Sequence, residues 1–133
     1  MTKARSTDTS ARACRAVTVP RDVTLLCRGA VEPREVAEAL LLHDDSWGVR
    51  ALDDGPMLQV CRDATHPVIT VLGVRRVDSL DEVVRILPGA PTLNVPLWWV
   101  DTVTPTGADG ESGISAALEA ALDLDAVCIV HGD

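Results

Sequence analysis

Hydrophobic and polar positions follow two periodicities along the chain, one typical of strands and one typical of helices. Together they predict nine secondary-structure elements. Apolar-rich or alternating runs indicate strands over 17–28, 47–52, 57–62, 67–74, 97–103 and 126–131. Apolar positions spaced three and four residues apart indicate helices over 33–43, over 79–87 and from Ser112 onward. The order β-α-β-β-β-α-β-α-β predicts a single domain of α/β or α+β class, with helices packed on a mixed β-sheet.

Each predicted helix has an apolar stripe, which we expect to pack on the sheet. The first stripe consists of Val36, Ala37, Leu40 and Leu41. The second consists of Leu80, Val83, Val84 and Leu87. The third consists of Ile114, Ala117, Leu118, Ala121 and Leu122. Ser79 and Glu82 form a capping-box pattern at the start of the second helix.

Two features of the strand segments predict how the sheet is built. The turn sequence DDGP between 47–52 and 57–62 indicates a hairpin, which 67–74 extends into an antiparallel meander. The last β-α-β unit predicts a right-handed crossover that joins parallel strands 97–103 and 126–131. Antiparallel and parallel pairs together make the predicted sheet mixed.

Charge is distributed unevenly along the 133 residues, a length that suits one domain. Four basic residues and one acidic residue give residues 1–16 a net charge of +3, which leaves −11 for residues 17–133 of a chain with a total of −8. We therefore expect a basic tail at 1–16 and a globular domain over 17–133. A domain this acidic repels phosphate backbones, which argues against a nucleic-acid ligand. The chain ends directly after its last strand, as whole domains and pieces of larger proteins both do.

Cysteine spacing and hydropathy bear on cofactors and compartment. The four cysteines are far apart, which argues against a zinc site and favours the buried thiols of a cytoplasmic protein. No run reaches the roughly 18 apolar residues of a membrane span. The N-terminal segment lacks the hydrophobic core of a secretory signal, so the expected compartment is the cytoplasm. No motif indicates a cofactor.

Two adjacent tryptophans, Trp98 and Trp99, occur in a chain that has no Phe and no Tyr. Because side chains alternate along a strand, the two rings should point to opposite faces of the sheet. One interpretation is that both rings fill core volume, and the other is that one of them anchors a partner. We expect Trp99 to be the more exposed ring, because Asp101 makes its face polar and Pro96 indicates an edge strand.

The segment TPTGADGESG is glycine-rich and should form a loop between a strand and a helix. Its glycines do not match a phosphate-binding spacing, and Asp109 and Glu111 would repel a phosphate. Asp101 and His131 lie near the ends of two strands, where ligands of open α/β sheets tend to bind. A histidine near carboxylates suits a metal or acid–base chemistry. The alternative is that polar residues simply accumulate where strands leave the core.

The segments PLWWVDT and AVCIVHG resemble a group of actinobacterial proteins that is loosely associated with type VII secretion gene clusters. The similarity covers the second half of the chain. It implies an accessory role and assigns no catalytic residue.

Three classes of function remain open. The first is a non-catalytic protein-binding module, such as a secretion accessory protein or an immunity-type inhibitor, whose acidic surface attracts a basic protein. The second is a regulatory domain that binds a small molecule, and the third is a small metal-dependent or acid–base enzyme near Asp101 and His131. The first is the main hypothesis, with no catalytic and no metal-binding residue. Its predicted contact residues are Trp99, Asp101, Asp109, Glu111 and His131.

Overall fold

The computed structural model describes residues 20–52, 55–86 and 94–131. The strands are β1 Arg21–Cys27, β2 Gly48–Ala51, β3 Leu58–Asp63, β4 His66–Val77, β5 Leu97–Thr104 and β6 Ala126–Val130. The helices are α1 Pro33–Leu41, α2 Leu80–Ile86 and α3 Gly107–Asp123. The element order and the combination of helices with one sheet confirm the prediction.

The six strands form one sheet in the order β2-β3-β4-β5-β1-β6, and every neighbouring pair is antiparallel. The predicted β2-β3-β4 meander is confirmed. The predicted parallel contact between the last two strands is wrong, since β1 lies between β5 and β6 and pairs with both. Those two strands do run in the same direction, but each forms its hydrogen bonds with β1, so the sheet is antiparallel and not mixed.

Helices cover the two sides of the sheet unequally. We call the side that packs on α1 and α3 the helix face; its core contains Val23, Leu25, Val60, Val71 and Val100, all 0 % exposed. We call the other side the open face, because α2 is the only described helix on it. A smaller core lies there beneath α2, formed by Leu26, Val77, Val83, Leu97 and Trp99.

The helix α1 begins as its sequence predicts. Pro33 occupies the first turn, where a missing backbone N–H costs nothing. The backbone N–H of Glu32 donates to the carboxylate of Glu35 at 2.9 Å, which completes a capping box. The helix then buries Val36, Ala37, Ala39 and Leu40 on the sheet.

The helix α3 starts at Gly107, so most of the predicted glycine-rich loop is its first two turns. The glycines allow close packing: a Cβ at Gly113 would collide with the Val68 carbonyl oxygen, and one at Gly110 with that of Pro105. The buried side of the helix consists of Gly110, Gly113, Ala116, Ala117, Ala120 and Ala121. Leu118 and Leu122, which belong to the predicted stripe, are instead 50 % and 84 % exposed.

The helix α2 packs on the sheet through one residue. Val83 is 2 % exposed, whereas Leu80, Val84 and Ile86 are 36 %, 63 % and 46 % exposed. The prediction that this apolar face packs on the sheet is therefore only partly correct. A helix of two turns contacts the sheet along a narrow strip, which buries Val83 alone. Leu87, the last residue of that predicted face, lies outside the described residues, as does the predicted tail 1–16.

No helix of the described chain combines the length and the apolar character that a membrane crossing requires.

Candidate functional site

A row of polar side chains crosses one end of the open face. Strand alternation puts Trp99, Asp101 and Val103 of β5 on this face, together with Asp22 and Thr24 of β1. Asp101 is directly opposite Thr24 in the ladder, and Thr24 is directly opposite Ile129 of β6. His131 follows β6 and its backbone N–H donates to the carbonyl of Asp22 at 2.9 Å. We call Asp22, Thr24, Asp101 and His131 the polar cluster.

Two side-chain hydrogen bonds order this cluster. The indole Nε1 of Trp99 donates to Oδ1 of Asp101 over 2.7 Å. The Thr24 hydroxyl and Nε2 of His131 are 2.9 Å apart and share a hydrogen bond. Asp101 and His131 are thus each fixed by a different neighbour, on strands that β1 separates. The carboxylates of Asp22 and Asp101 are both exposed, which leaves acceptor oxygens facing outward.

The exposures of the two tryptophans are the reverse of the prediction. Trp99 is 4 % exposed and belongs to the core under α2, whereas Trp98 is half-buried on the helix face. The prediction was wrong because β5 lies inside the sheet and not at its edge, so both neighbours shield Trp99. The guanidinium of Arg75 also lies 4.8 Å from the ring centre and forms an ion pair with Glu82 at 2.7 Å.

Burial changes the part that Trp99 can play in a site. Its ring cannot insert into a partner while it is enclosed by Arg75 and the residues beneath α2. Its indole N–H nevertheless sets the direction of the Asp101 carboxylate. Trp99 therefore contributes to the open face as a support for Asp101.

The other two predicted contact residues lie apart from the polar cluster. Asp109 and Glu111 belong to the first turns of α3, on the helix side of the sheet, and not to a loop. Asp109 accepts a hydrogen bond from Nε of Arg62 at 2.8 Å, and this bond lowers the pKa of its carboxyl group. Glu111 is exposed. The structure thus brings together Trp99, Asp101 and His131, but not the two acidic residues of α3.

Sequence reasoning missed Asp22, Thr24 and the exposed side of α2. The segment RDVTLLC alternates Asp22 and Thr24 with buried Val23 and Leu25, a period of two that indicates one polar face at that end of the strand. Exposed Val84 and Ile86 gave no such signal, because helical spacing alone does not tell how far a helix stands from the sheet.

The polar cluster presents hydrogen-bond acceptors at its surface. Within the described ranges, no group of three or more His, Cys, Asp or Glu side chains has a geometry that would hold a metal ion. Thr24 is the only hydroxyl in the cluster and it is 3 % exposed, with its oxygen bonded to His131. The outward-facing carboxylates of Asp22 and Asp101 can accept hydrogen bonds from cationic or amide groups.

Comparison with protein-family models, with curated proteins and with solved structures found no match to the chain.

A groove of about 290 Å³ lies away from the open-face cluster, beside β2 and β3. Arg50 and Cys61 contribute to its wall. The Arg50 guanidinium donates to the Gln59 side chain at 2.6 Å and to the Ala64 carbonyl at 2.8 Å. Burial raises the pKa of the Cys61 thiol. These two groups are therefore engaged or protonated, and the groove is small for an organic ligand.

Proposed function

We propose that this chain is a non-catalytic protein-binding module, and that it binds a basic protein through the open face of its sheet. The observation that carries the proposal is the pairing, on one face, of an exposed acidic end with an exposed apolar end. Asp22 and Asp101 form the acidic end, and Leu80, Val84 and Ile86 of α2 form the apolar end.

Charge favours a basic partner. The chain has a formal net charge of −8, so its field attracts cationic proteins and accelerates their encounter. Two arginines of the strands on the open face are already engaged: Arg75 pairs with Glu82, and Arg50 donates to Gln59. The carboxylates of Asp22 and Asp101 form no ion pair within the described chain. A lysine or arginine of the partner would form ion pairs with these carboxylates.

The apolar end supplies hydrophobic contacts, which charge alone does not provide. Interfaces combine a desolvated apolar centre with a polar rim, and most of the binding energy comes from a few apolar or aromatic contacts. Val84 is 63 % exposed and Ile86 is 46 % exposed, on a helix whose buried side is already satisfied by Val83. Contact with a partner would bury these side chains without any rearrangement of the fold.

The kind of partner follows from the same chemistry. An acidic surface is compatible with an immunity-type inhibitor that covers a basic toxin site and with an accessory protein that holds a basic secretion component. We also propose the cytoplasm as the compartment. The described cysteines Cys27, Cys61 and Cys128 are all free, as is usual where thiols remain reduced.

The test is capture from a lysate of the native host by the immobilised full chain, followed by affinity measurement with the purified partner. The double variant Asp22→Asn/Asp101→Asn removes two charges and keeps an oxygen that can accept from Trp99. We expect a basic protein to bind the unmodified chain, with an affinity that falls as salt increases. The variant should bind it at least tenfold more weakly.

The matched control is Asp45→Asn/Glu111→Gln, which removes the same number of charges from exposed positions in the turn after α1 and in α3. This control should keep at least half of the affinity. Equal losses in the two double variants would show that net charge and not the open face directs binding. Capture of only acidic or neutral proteins would contradict the proposal.

A further inference from the structure

The two edges of the sheet differ in how well they are protected. At one edge, β2 has four residues and includes Gly48 and exposed Arg50, features that discourage further pairing. At the other edge, β6 has the sequence AVCIV, with no charge, no proline and no glycine. All five residues are half-buried, and β1 is the only described strand that pairs with them. Such an edge is a template for another strand.

The hydrogen-bonding pattern shows which groups β6 offers. His131 donates its backbone N–H to Asp22, so the His131–Asp22 pair is a hydrogen-bonded one. Because such pairs alternate along an antiparallel ladder, Ile129 and Val127 also bond to β1. The backbone groups of Ala126, Cys128 and Val130 therefore point away from the sheet. They form a row of three residues that is symmetric about Cys128.

From this symmetry we infer that β6 pairs antiparallel with β6 of a second copy of the chain, centred on Cys128, to form a dimer with one continuous sheet. The backbone N–H and C=O groups of Ala126 in each copy then form hydrogen bonds with those of Val130 in the other copy. The backbone groups of the two Cys128 residues likewise form hydrogen bonds with each other. A second copy satisfies both free edges at once, as a two-fold interface requires.

An exposed leucine on α3 provides independent support. Glu119 contacts His43 at 3.0 Å, so its flank of α3 faces the end of α1. At 100° per residue, Leu118 lies on the other flank, whereas Leu122 points away from the buried side of the helix. Leu118 also lies in the half of α3 that continues into β6 through the turn at Leu124 and Asp125.

The symmetry of the paired strands places Leu118 on the side of α3 that faces the seam. A two-fold axis through Cys128 lies perpendicular to the sheet, which puts both helix faces on the same side. The Leu118 flanks of the two α3 helices then face each other above the joined strands. Contact along these flanks would bury Leu118, which is 50 % exposed.

The inference does not depend on the proposed function. The dimer uses an edge of the sheet and the flank of α3, whereas partner binding uses the open face. Joining two copies leaves both open faces on the same side of the continuous sheet. A dimer could therefore bind two copies of a partner, but failure of either idea leaves the other intact.

Sedimentation velocity of the full chain over a concentration series tests the dimer directly. We expect a species of twice the chain mass of 14.1 kDa, which dissociates on dilution. The variant Leu118→Glu should weaken the dimer at least tenfold. The control Leu42→Glu changes a leucine that is 71 % exposed at the end of α1 and should not affect it. A monomer at every concentration would overturn the inference, as would equal weakening by the control.

Cysteine cross-linking tests the register without relying on a destabilising charge. In a Cys128→Ala background, Val127→Cys/Ile129→Cys places cysteines opposite one another across the seam, at a pair without hydrogen bonds between its backbones. Mild oxidation should then give a covalent dimer on a non-reducing gel, and either single variant should give at least tenfold less. Equal yields from the single and double variants would exclude this register and overturn the inference.

Discussion

The helix face and the open face of this sheet are built from the same strands but are closed in different ways. On the helix face, α3 lies so near β4 that Gly113 has no room for a Cβ. On the open face, α2 touches the sheet through Val83, and the rest of the face ends in the polar cluster. A face that is covered by a closely packed helix has few exposed side chains of its own that could contact a partner. A face that is only half covered has both charge and apolar surface available.

The two tryptophans show the same contrast within one strand. Trp98 belongs to the helix face but lies where β5 begins, and it stays half-buried. Trp99 belongs to the open face and is 4 % exposed, since α2, Arg75 and the neighbouring strands enclose it. The open face therefore has a firm core of its own at one end, beside the surface that we propose for partner binding.

The largest effect should come from removing that core. Trp99→Ala deletes a buried ring and should cost about 3–5 kcal/mol in the free energy of unfolding. Trp98→Ala removes a half-buried ring and should cost clearly less. Urea unfolding of the two variants measures the difference. A greater loss at Trp98 would mean that the helix face and not the open face holds the critical tryptophan.

A smaller loss should mark the close approach of α3 to the sheet. Gly113→Ala puts a methyl group against the Val68 carbonyl oxygen, and the resulting strain should cost about 1–3 kcal/mol or more. Gly73→Ala, at a strand position with no atom within 4 Å of the added Cβ, is the matched control. It should be neutral or slightly stabilising. Equal melting temperatures for the two variants would show that α3 can move outward freely.

Alkaline pH should lower the free energy of unfolding, because it ionises buried thiols on the helix face. Burial raises the pKa of Cys27 from 9.0 to about 11 and that of Cys128 to about 11. The folded state therefore holds these protons more tightly than the unfolded state. Stability should be unaffected below pH 9 and fall as the pH rises from 9 towards 11. Urea unfolding across this range measures the slope, and Cys27→Ala should make it shallower; an unchanged slope would contradict the assignment.

The smallest effect concerns the hydrogen bond between Trp99 and Asp101. Asp101→Ala leaves the indole N–H without its acceptor and should cost about 1 kcal/mol. Asp101→Asn keeps an acceptor oxygen and should cost less. Thermal melts of both variants compare them. Identical losses would show that the bond does not contribute to the open face.

The sequence predicted local structure better than packing. All nine elements were predicted in order, because strand alternation, helical spacing and turn residues are local signals. The insertion of β1 between β5 and β6 was not predictable in this way, since pairing depends on which distant strands bury each other's edges. That one missed pairing also explains the wrong expectation for Trp99, which assumed an edge position for β5.

The candidate site was predicted only in part for the same reason. Asp101 and His131 were chosen because each lies near a strand end, and the sheet does bring them to one face. Asp109 and Glu111 were assigned to a loop, because glycines that allow close helix packing look like turn residues in a sequence. Distinguishing the two uses of glycine requires knowing which backbone the helix approaches.

The central claim is that the open face binds the partner, and methyl NMR of the complex tests it most directly. Valine, leucine and isoleucine methyl groups report on both sides of the sheet. On addition of the partner captured by the unmodified chain, we expect the largest shifts at Val84, Ile86 and Val103 on the open face. Methyl groups of Leu42, on the helix side, should change little. Largest shifts at Leu42, with Val84 and Val103 unchanged, would contradict the account.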